Sequence, residues 1–143
     1  RMIPNNFILT DRSRVVNVEV SPTHFSPLSL SKGFVVHTNH LLFDQEMQDH
    51  DVGTLHSKTS VLRYKAMRSL VAAHNRSKIR ADDLQTMLAT HPVFRDGQAG
   101  TDNDTLASMV FDSHSLTMGI WFKGDAYRSA RRYAVPSLQT LYA

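Results

Sequence analysis

The residues best suited to chemistry follow an apolar run at Gly33–His40, where a polar group closes the segment. The run predicts a buried strand over 33–38 that leads into Thr38, Asn39 and His40. The amide of Asn39 offers two uncharged N–H donors, which suits it to hold a developing oxyanion in an acyl-transfer reaction. An Asn-His pair after a strand is also typical of a capped loop, so the residues alone leave both interpretations open.

Composition limits the classes of protein to be considered. The chain has 143 residues, 41% of them hydrophobic and 20% charged, which is ordinary for one globular domain. No apolar run approaches the roughly 20 residues of a membrane-spanning helix, and the N-terminus has no signal-peptide pattern. We therefore expect a cytoplasmic protein without a membrane partner.

The net charge and the histidine and cysteine content exclude further kinds of partner and site. The net charge is +3, but the sequence contains no basic run with interleaved aromatic residues, so we expect no nucleic-acid partner. The eight histidines form no metal-binding motif, and we expect no metal and no cofactor. The absence of cysteine excludes disulfides, thiolate metal sites and a cysteine nucleophile within this chain.

The pattern of apolar and turn-forming residues predicts an α+β fold with antiparallel strands and two helices. In the second strand the alternation places Val16, Val18 and Val20 on one face and Asn17, Glu19 and Ser21 on the other. The predicted elements in chain order are a hairpin of strands at 7–11 and 15–21, an edge strand or loop at 25–30, the strand at 33–38, a long loop at 41–57, helices at 59–75 and 81–90, a second hairpin at 105–112 and 116–122, and an irregular tail at 124–143.

Several side chains receive a role from these elements. Thr59 or Ser60 is expected to cap the first helix, and Arg63 on that helix is expected to pair with the acidic loop, with a substrate carboxylate or in a solvated salt bridge. The second hairpin is apolar enough to be covered on both faces. We expect Thr105 and Ser108 to be packed strand residues near the presumed site. Trp121 and Phe122 are expected in the core. Asp82 and Asp83 are expected to stabilise the dipole of the second helix.

Separated pieces of the chain resemble one family, and they do so in the family's order. The pieces are Phe-Ile-Leu-Thr-Asp-x-Ser from Phe7, Val-Asn-Val-Glu-Val-Ser-Pro from Val16, His-Thr-Asn-His from His37, Thr59, Ser60 and Arg63, and Thr-x-x-Ser-Met-Val-x-Asp from Thr105 to Asp112. With these pieces the chain resembles the C-terminal half of the isopenicillin N acyltransferase-like family, which comprises amide-bond hydrolases and acyltransferases of the N-terminal nucleophile class.

The resemblance implies a four-layer αββα sandwich in which helices cover two packed sheets. It also implies autoproteolysis before a cysteine, whose thiol attacks an amide or thioester while its freed α-amine acts as base. The asparagine of the family's Thr-Asn-His motif donates to the oxyanion, and Asn39 stands at that place here. Thr38, His40, Arg63 and Ser108 are the residues that we expect to support the site or bind substrate.

This chain departs from the family pattern because it contains no cysteine. We therefore expect residues 1–143 to be a single domain or the C-terminal fragment of a larger catalytic domain. It would supply the oxyanion donor, while a missing N-terminal segment or companion chain supplies the nucleophile. A second departure is Gly124-Asp125-Ala126, where the family favours Gly-x-Pro.

Two functions of different classes follow. The first is an amide-bond hydrolase or acyltransferase that acts on a small-molecule amide or acyl-CoA substrate. The alternative is a degenerate module with a binding or assembly role only. In either case, strands that lack part of their sheet partner expose an apolar face, so we expect a homo-oligomer.

Overall fold

The fold is α+β, as predicted, and the residues that the structure describes form antiparallel strands in two sheets and two helices. The chain forms two compact units, Arg1–Arg76 and Ser77–Ala143. Within the part of the chain that is described, no helix is long and apolar enough to cross a membrane. The computed structural model describes residues 5–11, 13–21, 23–29, 33–42, 55–74, 78–97, 104–123 and 131–134.

The first unit contains a three-stranded sheet and one long helix. The strands β1 (Asn5–Thr10), β2 (Val15–Val20) and β3 (Phe25–Ser29) pair in the order β1-β2-β3, and the helix α1 spans Leu55–Ala73. The predicted hairpin of the first two strands is confirmed. Pro27 lies in β3 at the edge of the sheet, where a residue without an N–H is tolerated, so the expected edge position is confirmed.

The turn of this hairpin is built around the carboxylate of Asp11. Its Oδ1 accepts the backbone N–H groups of Ser13 and Arg14, each at 2.7 Å, and the Ser13 hydroxyl at 2.8 Å. The Ser13 N–H is the main reason why the pKa of Asp11 is lowered from 3.8 to about 2, and the Ser13 hydroxyl adds to the effect. These contacts require the ionised carboxylate, so the turn is sensitive to acid.

We expect Asp11→Ala to destabilise the protein near neutral pH and to have progressively less effect in acid. The folded-state pKa lies below the ordinary value, so the contribution is fully present above about pH 4 and is lost as the pH falls towards about 2. Urea unfolding of both proteins as a function of pH measures this difference. A difference between the two proteins that stays constant from about pH 6 to pH 2 would contradict the assignment.

The two faces of this sheet are unusual in polarity. Asn17 and Glu19 share one face of β2 and are only 1% and 0% exposed, although both side chains are polar. On the opposite face Phe7, Leu9 and Phe25 are at least half exposed. The alternation of side chains along β2 was predicted correctly. The two side chains buried on one face of this strand, Asn17 and Glu19, are polar.

The predicted strand at 33–38 is wrong. Residues 33–38 form an extended segment that joins no ladder. The segment contacts β2 through the buried Glu19 side chain and cannot pair with that strand, because β2 is paired on both edges by β1 and β3. Gly33 has a φ of +79°, a conformation that suits glycine at the start of this segment.

The first helix begins before its predicted start. Because α1 begins at Leu55, Thr59 and Ser60 lie inside the helix, and the expected capping role for them is wrong. The helix therefore begins within the predicted loop 41–57, whose residues 43–54 lie outside the described part of the chain. The hydroxyl of Ser60 is instead available to bind the extended segment.

The second unit contains the helix α2 (Ala81–Leu88) and a sheet in the order β4-β5-β6. Its strands are β4 (Ala107–Asp112), β5 (Thr117–Phe122) and β6 (Arg131–Ala134), and the predicted second hairpin is confirmed. In α2 the expected placement of Asp82 and Asp83 in the first turn is also confirmed. The predicted irregular tail is wrong at β6, and its other residues lie outside the described ranges.

Two burial predictions in this hairpin need correction. Val110 and Trp121 are buried as expected, but Phe111 is 63% exposed and Phe122 is 43% exposed. The expectation that both faces are covered, and the core position of Phe122, are therefore wrong for this unit. The indole of Trp121 lies across Gly119, where a Cβ would stand 2.6 Å from the ring, so only glycine leaves room for it.

Candidate active site

Asn39 lies at an exposed bend of the extended segment and is held by a side chain from α1. The Nη2 of Arg63 donates to the Oδ1 of Asn39 at 2.6 Å. A guanidinium carries only donors, so it fixes the amide with its oxygen towards α1. Among the described residues, none accepts a hydrogen bond from the amide nitrogen of Asn39, so two N–H groups remain for a ligand.

The two residues beside Asn39 are tied to the same helix through Ser60. The buried hydroxyl of Ser60 accepts the backbone N–H of His40 at 2.9 Å and donates to the Oγ1 of Thr38 at 2.9 Å. The Thr38 hydroxyl in turn donates to the Ser60 carbonyl oxygen at 3.0 Å. Both flanks of Asn39 are therefore fixed to one turn of α1.

These contacts also assign a proton to the ring of His40. Its Nδ1 lies 3.0 Å from the Thr38 Oγ1 and 2.9 Å from the Ser60 Oγ. With the Thr38 and Ser60 hydroxyl protons directed within that pair, the tautomer of His40 that fits both contacts carries its proton on the Nδ1. The ring also meets Tyr64 edge to face at 5.3 Å. His40 is therefore braced on two sides, which agrees with the bracing role inferred from sequence.

A second anchor connects the segment to the sheet. Glu19 projects from β2, and its Oε1 accepts the backbone N–H of Leu42 at 2.6 Å and lies 2.7 Å from the Nε2 of His37. The side chains of Glu19 and His37 are both fully buried. The opposite ring nitrogen of His37 contacts the carbonyl oxygen of Thr38. The sheet thus contacts the segment on both sides of Asn39.

The structure brings together four of the five residues expected at the site: Thr38, Asn39, His40 and Arg63. Ser108 is buried in β4 of the second unit, where a packed strand position was expected. The expected strand position of Thr105 is wrong, because β4 begins at Ala107 and the Thr105 side chain instead accepts the backbone N–H of Arg95. Arg63 binds Asn39, whereas the acidic loop expected as its partner lies at residues outside the described ranges.

Sequence reasoning assigned no role to Glu19 or His37 and gave Ser60 only a capping role, although each stands in a motif that supported the resemblance. No signal in the sequence separates a buried glutamate from one on the solvent face of an alternating strand. For the residues described here, no group of three or more His, Asp or Glu side chains is placed to hold a metal ion.

Comparison with known proteins gives one match. The model of the family described as acyl-coenzyme A:6-aminopenicillanic acid acyl-transferase matches residues 1–127. The matched range includes the whole Asn39 site and continues to the end of the second hairpin. No curated protein and no solved structure matches the chain at a significant level.

Proposed function

Because the chain belongs to the acyl-coenzyme A:6-aminopenicillanic acid acyl-transferase family, we propose that it contributes the oxyanion donor of an acyl-transfer site. The carrying observation is the orientation of the Asn39 amide, whose oxygen is bound by Arg63 and whose N–H groups remain for a ligand. A fixed donor stabilises an oxygen that becomes negative in the transition state. Because the amide is uncharged, it does not form a salt bridge with a carboxylate of the bound substrate.

The proposed reaction is attack on the carbonyl carbon of an acyl thioester or amide. The carbonyl oxygen takes up the electron pair and is stabilised by the Asn39 N–H groups. Collapse of the tetrahedral intermediate breaks the bond to the leaving thiol or amine, which takes up the proton given up by the nucleophilic thiol, and leaves the acyl group on that nucleophile. An amine or water then attacks this acyl thioester, loses a proton and releases the nucleophilic thiol. The chain contains no cysteine, so the thiol nucleophile proposed for the family comes from outside residues 1–143.

We propose that the two sheets belong to the four-layer αββα arrangement implied by the resemblance. The exposed apolar side chains of Phe7, Leu9 and Phe25 support this proposal, because a sheet face of this composition is stable in water only when something covers it. The proposed cover is the chain segment that brings the nucleophile, and association into a homo-oligomer is a further part of the proposal.

The proposal is tested with the protein expressed from its complete gene. An acyl-CoA is supplied with 6-aminopenicillanic acid as acceptor, and the free thiol of coenzyme A is measured over time. A parallel assay measures amine release from N-acylated 6-aminopenicillanic acid. Turnover in either assay that depends on Asn39 supports the proposal. A folded protein that catalyses neither reaction, or whose turnover is indifferent to Asn39, contradicts it.

Arg63→Met is expected to lower kcat by about tenfold. The substitution keeps most of the apolar stem but removes the donor that holds the Asn39 oxygen, and a hydrogen bond to a charged group is worth about 1.5–3 kcal/mol. The measurement is the thiol-release assay. Lys65→Met is the matched control, since Lys65 is exposed on the same helix. Equal rates for wild type and Arg63→Met would contradict the orienting role of Arg63.

A further inference from the structure

We infer that Glu19 is a positioning residue for the Asn39 donor, acting through His37 and Leu42. The inference rests on the proposed function for its catalytic consequence, but its structural part can be tested separately. No motif or comparison assigns a role to Glu19. Its role follows from its burial, its two contacts and the lack of a ladder in the segment that it holds.

One carboxylate oxygen of Glu19 contacts two residues of the segment, Leu42 and His37. One oxygen of Glu19 accepts the Leu42 N–H at 2.6 Å and lies 2.7 Å from the His37 Nε2. These two partners stand at the ends of the segment 37–42, and Asn39 lies between them. A single buried carboxylate oxygen therefore closes the segment into a short loop, with the proposed oxyanion donor within it.

Glu19 is one of several side chains that hold residues 33–42 in place. Residues 33–42 join no ladder, so the backbone pairing that fixes a strand is absent within them. The anchors of the segment include Ser60 and Arg63 on the helix side and Glu19 on the sheet side. Helix anchors alone leave the segment free to shift with α1. The contact from β2 supplies the second fixed point that an oriented donor requires.

Contacts through His37 connect Glu19 to Asn39. His37 meets Glu19 with one ring nitrogen and the carbonyl oxygen of Thr38 with the other. That carbonyl belongs to the peptide group that joins Thr38 to Asn39. Loss of the Glu19 carboxylate thus releases the ring that contacts the donor's own peptide group. A shift of about 1 Å in a positioned group can cost roughly 100-fold in rate.

Asn17 provides the matched control for this proposal. It lies two residues before Glu19 on the same face of β2 and is 1% exposed, compared with 0% for Glu19. Within the described residues its side-chain oxygen and nitrogen have no hydrogen-bond partner. Asn17→Ala therefore removes a buried polar side chain from the same surface without removing a contact to the segment.

The experiment compares Glu19→Ala, Glu19→Gln and Asn17→Ala in the protein expressed from its complete gene. Amide hydrogen exchange is followed at Leu42, whose N–H binds Glu19, and at His40, whose N–H binds Ser60. We expect Glu19→Ala to accelerate exchange at both amides by about tenfold or more. Glu19→Gln keeps an acceptor oxygen and is expected to restore protection, and Asn17→Ala is expected to leave both amides unchanged.

The kinetic expectation is a loss in kcat of roughly 10- to 100-fold for Glu19→Ala, with KM within about twofold and with rescue by Glu19→Gln. Unchanged exchange at both amides in Glu19→Ala overturns the inference, and so does an equal effect of Asn17→Ala. Failure of the proposed function is recognised separately, because Asn39→Ala then retains full kcat. Faster exchange in Glu19→Ala with unaltered kcat overturns the catalytic consequence of the inference.

Discussion

Replacing Asn39 by alanine is expected to lower kcat by about 100- to 1,000-fold and to change KM little. In the proposed site the amide N–H groups of Asn39 donate to the substrate oxygen, because Arg63 binds the amide oxygen. A donor of this kind acts mainly on the negative charge that develops in the transition state, so its loss falls on kcat. The measurement is the steady-state rate of thiol release from acyl-CoA.

The control for this experiment separates the donor from the loop. In Asn39→Ala the anchors to Glu19 and Ser60 remain, so the exchange rate at Leu42 is expected to stay at the wild-type value. A wild-type kcat in Asn39→Ala disproves the oxyanion role. A loss of kcat that is accompanied by a loss of protection at Leu42 assigns the effect to loop disorder, which also counts against that role.

Ser60→Ala is expected to lower the free energy of unfolding by about 1–3 kcal/mol. The hydroxyl is fully buried and is the acceptor for the His40 N–H and the donor to Thr38, so its removal leaves buried polar groups unpaired. The measurement is urea unfolding followed by circular dichroism. The effect is large because both flanks of Asn39 depend on this one side chain.

Ser69→Ala is the matched control for Ser60, since it makes the same substitution on the exposed surface of the same helix. Alanine favours the helix slightly more than serine does, so Ser69→Ala is expected to be neutral or slightly stabilising. An equally small effect of Ser60→Ala would show that the contacts between α1 and the segment do not stabilise the fold.

The sequence was most informative where local chemistry decides the structure. The first hairpin could be predicted because β2 alternates from Val16 and because Asp11 and Ser13 stand between the strands. The edge position of β3 follows from Pro27, which cannot donate to a ladder. In these places neighbouring residues determine the conformation.

The sequence was least informative where distant elements decide the structure. A short apolar run such as 33–36 has the same composition whether it pairs as a strand or packs as an extended segment. Here the segment contacts the buried Glu19 of β2 through its side chains and joins no ladder, which no local pattern reveals. The start of α1 was missed for a similar reason, because residues 55–58 show no apolar periodicity.

For the candidate site, the sequence indicated some of the residues but not the contacts between them. Asn39 could be selected from its residue type and motif, and Arg63 from its place on the helix. The contact between them depends on how the segment lies along α1, which the sequence does not specify. The buried Glu19 could be recognised only once its partners were visible, since a glutamate in an alternating strand ordinarily faces solvent.

In the proposed site Arg63 acts through Asn39, which donates to the oxyanion, and a double-mutant cycle tests this dependence most directly. The kcat of thiol release is measured for wild type, Asn39→Ala, Arg63→Met and the double variant. We expect the double variant to have the kcat of Asn39→Ala alone, because an orienting contact has no effect once its target is gone. Losses that multiply, so that the double variant is about tenfold slower than Asn39→Ala, would contradict the account.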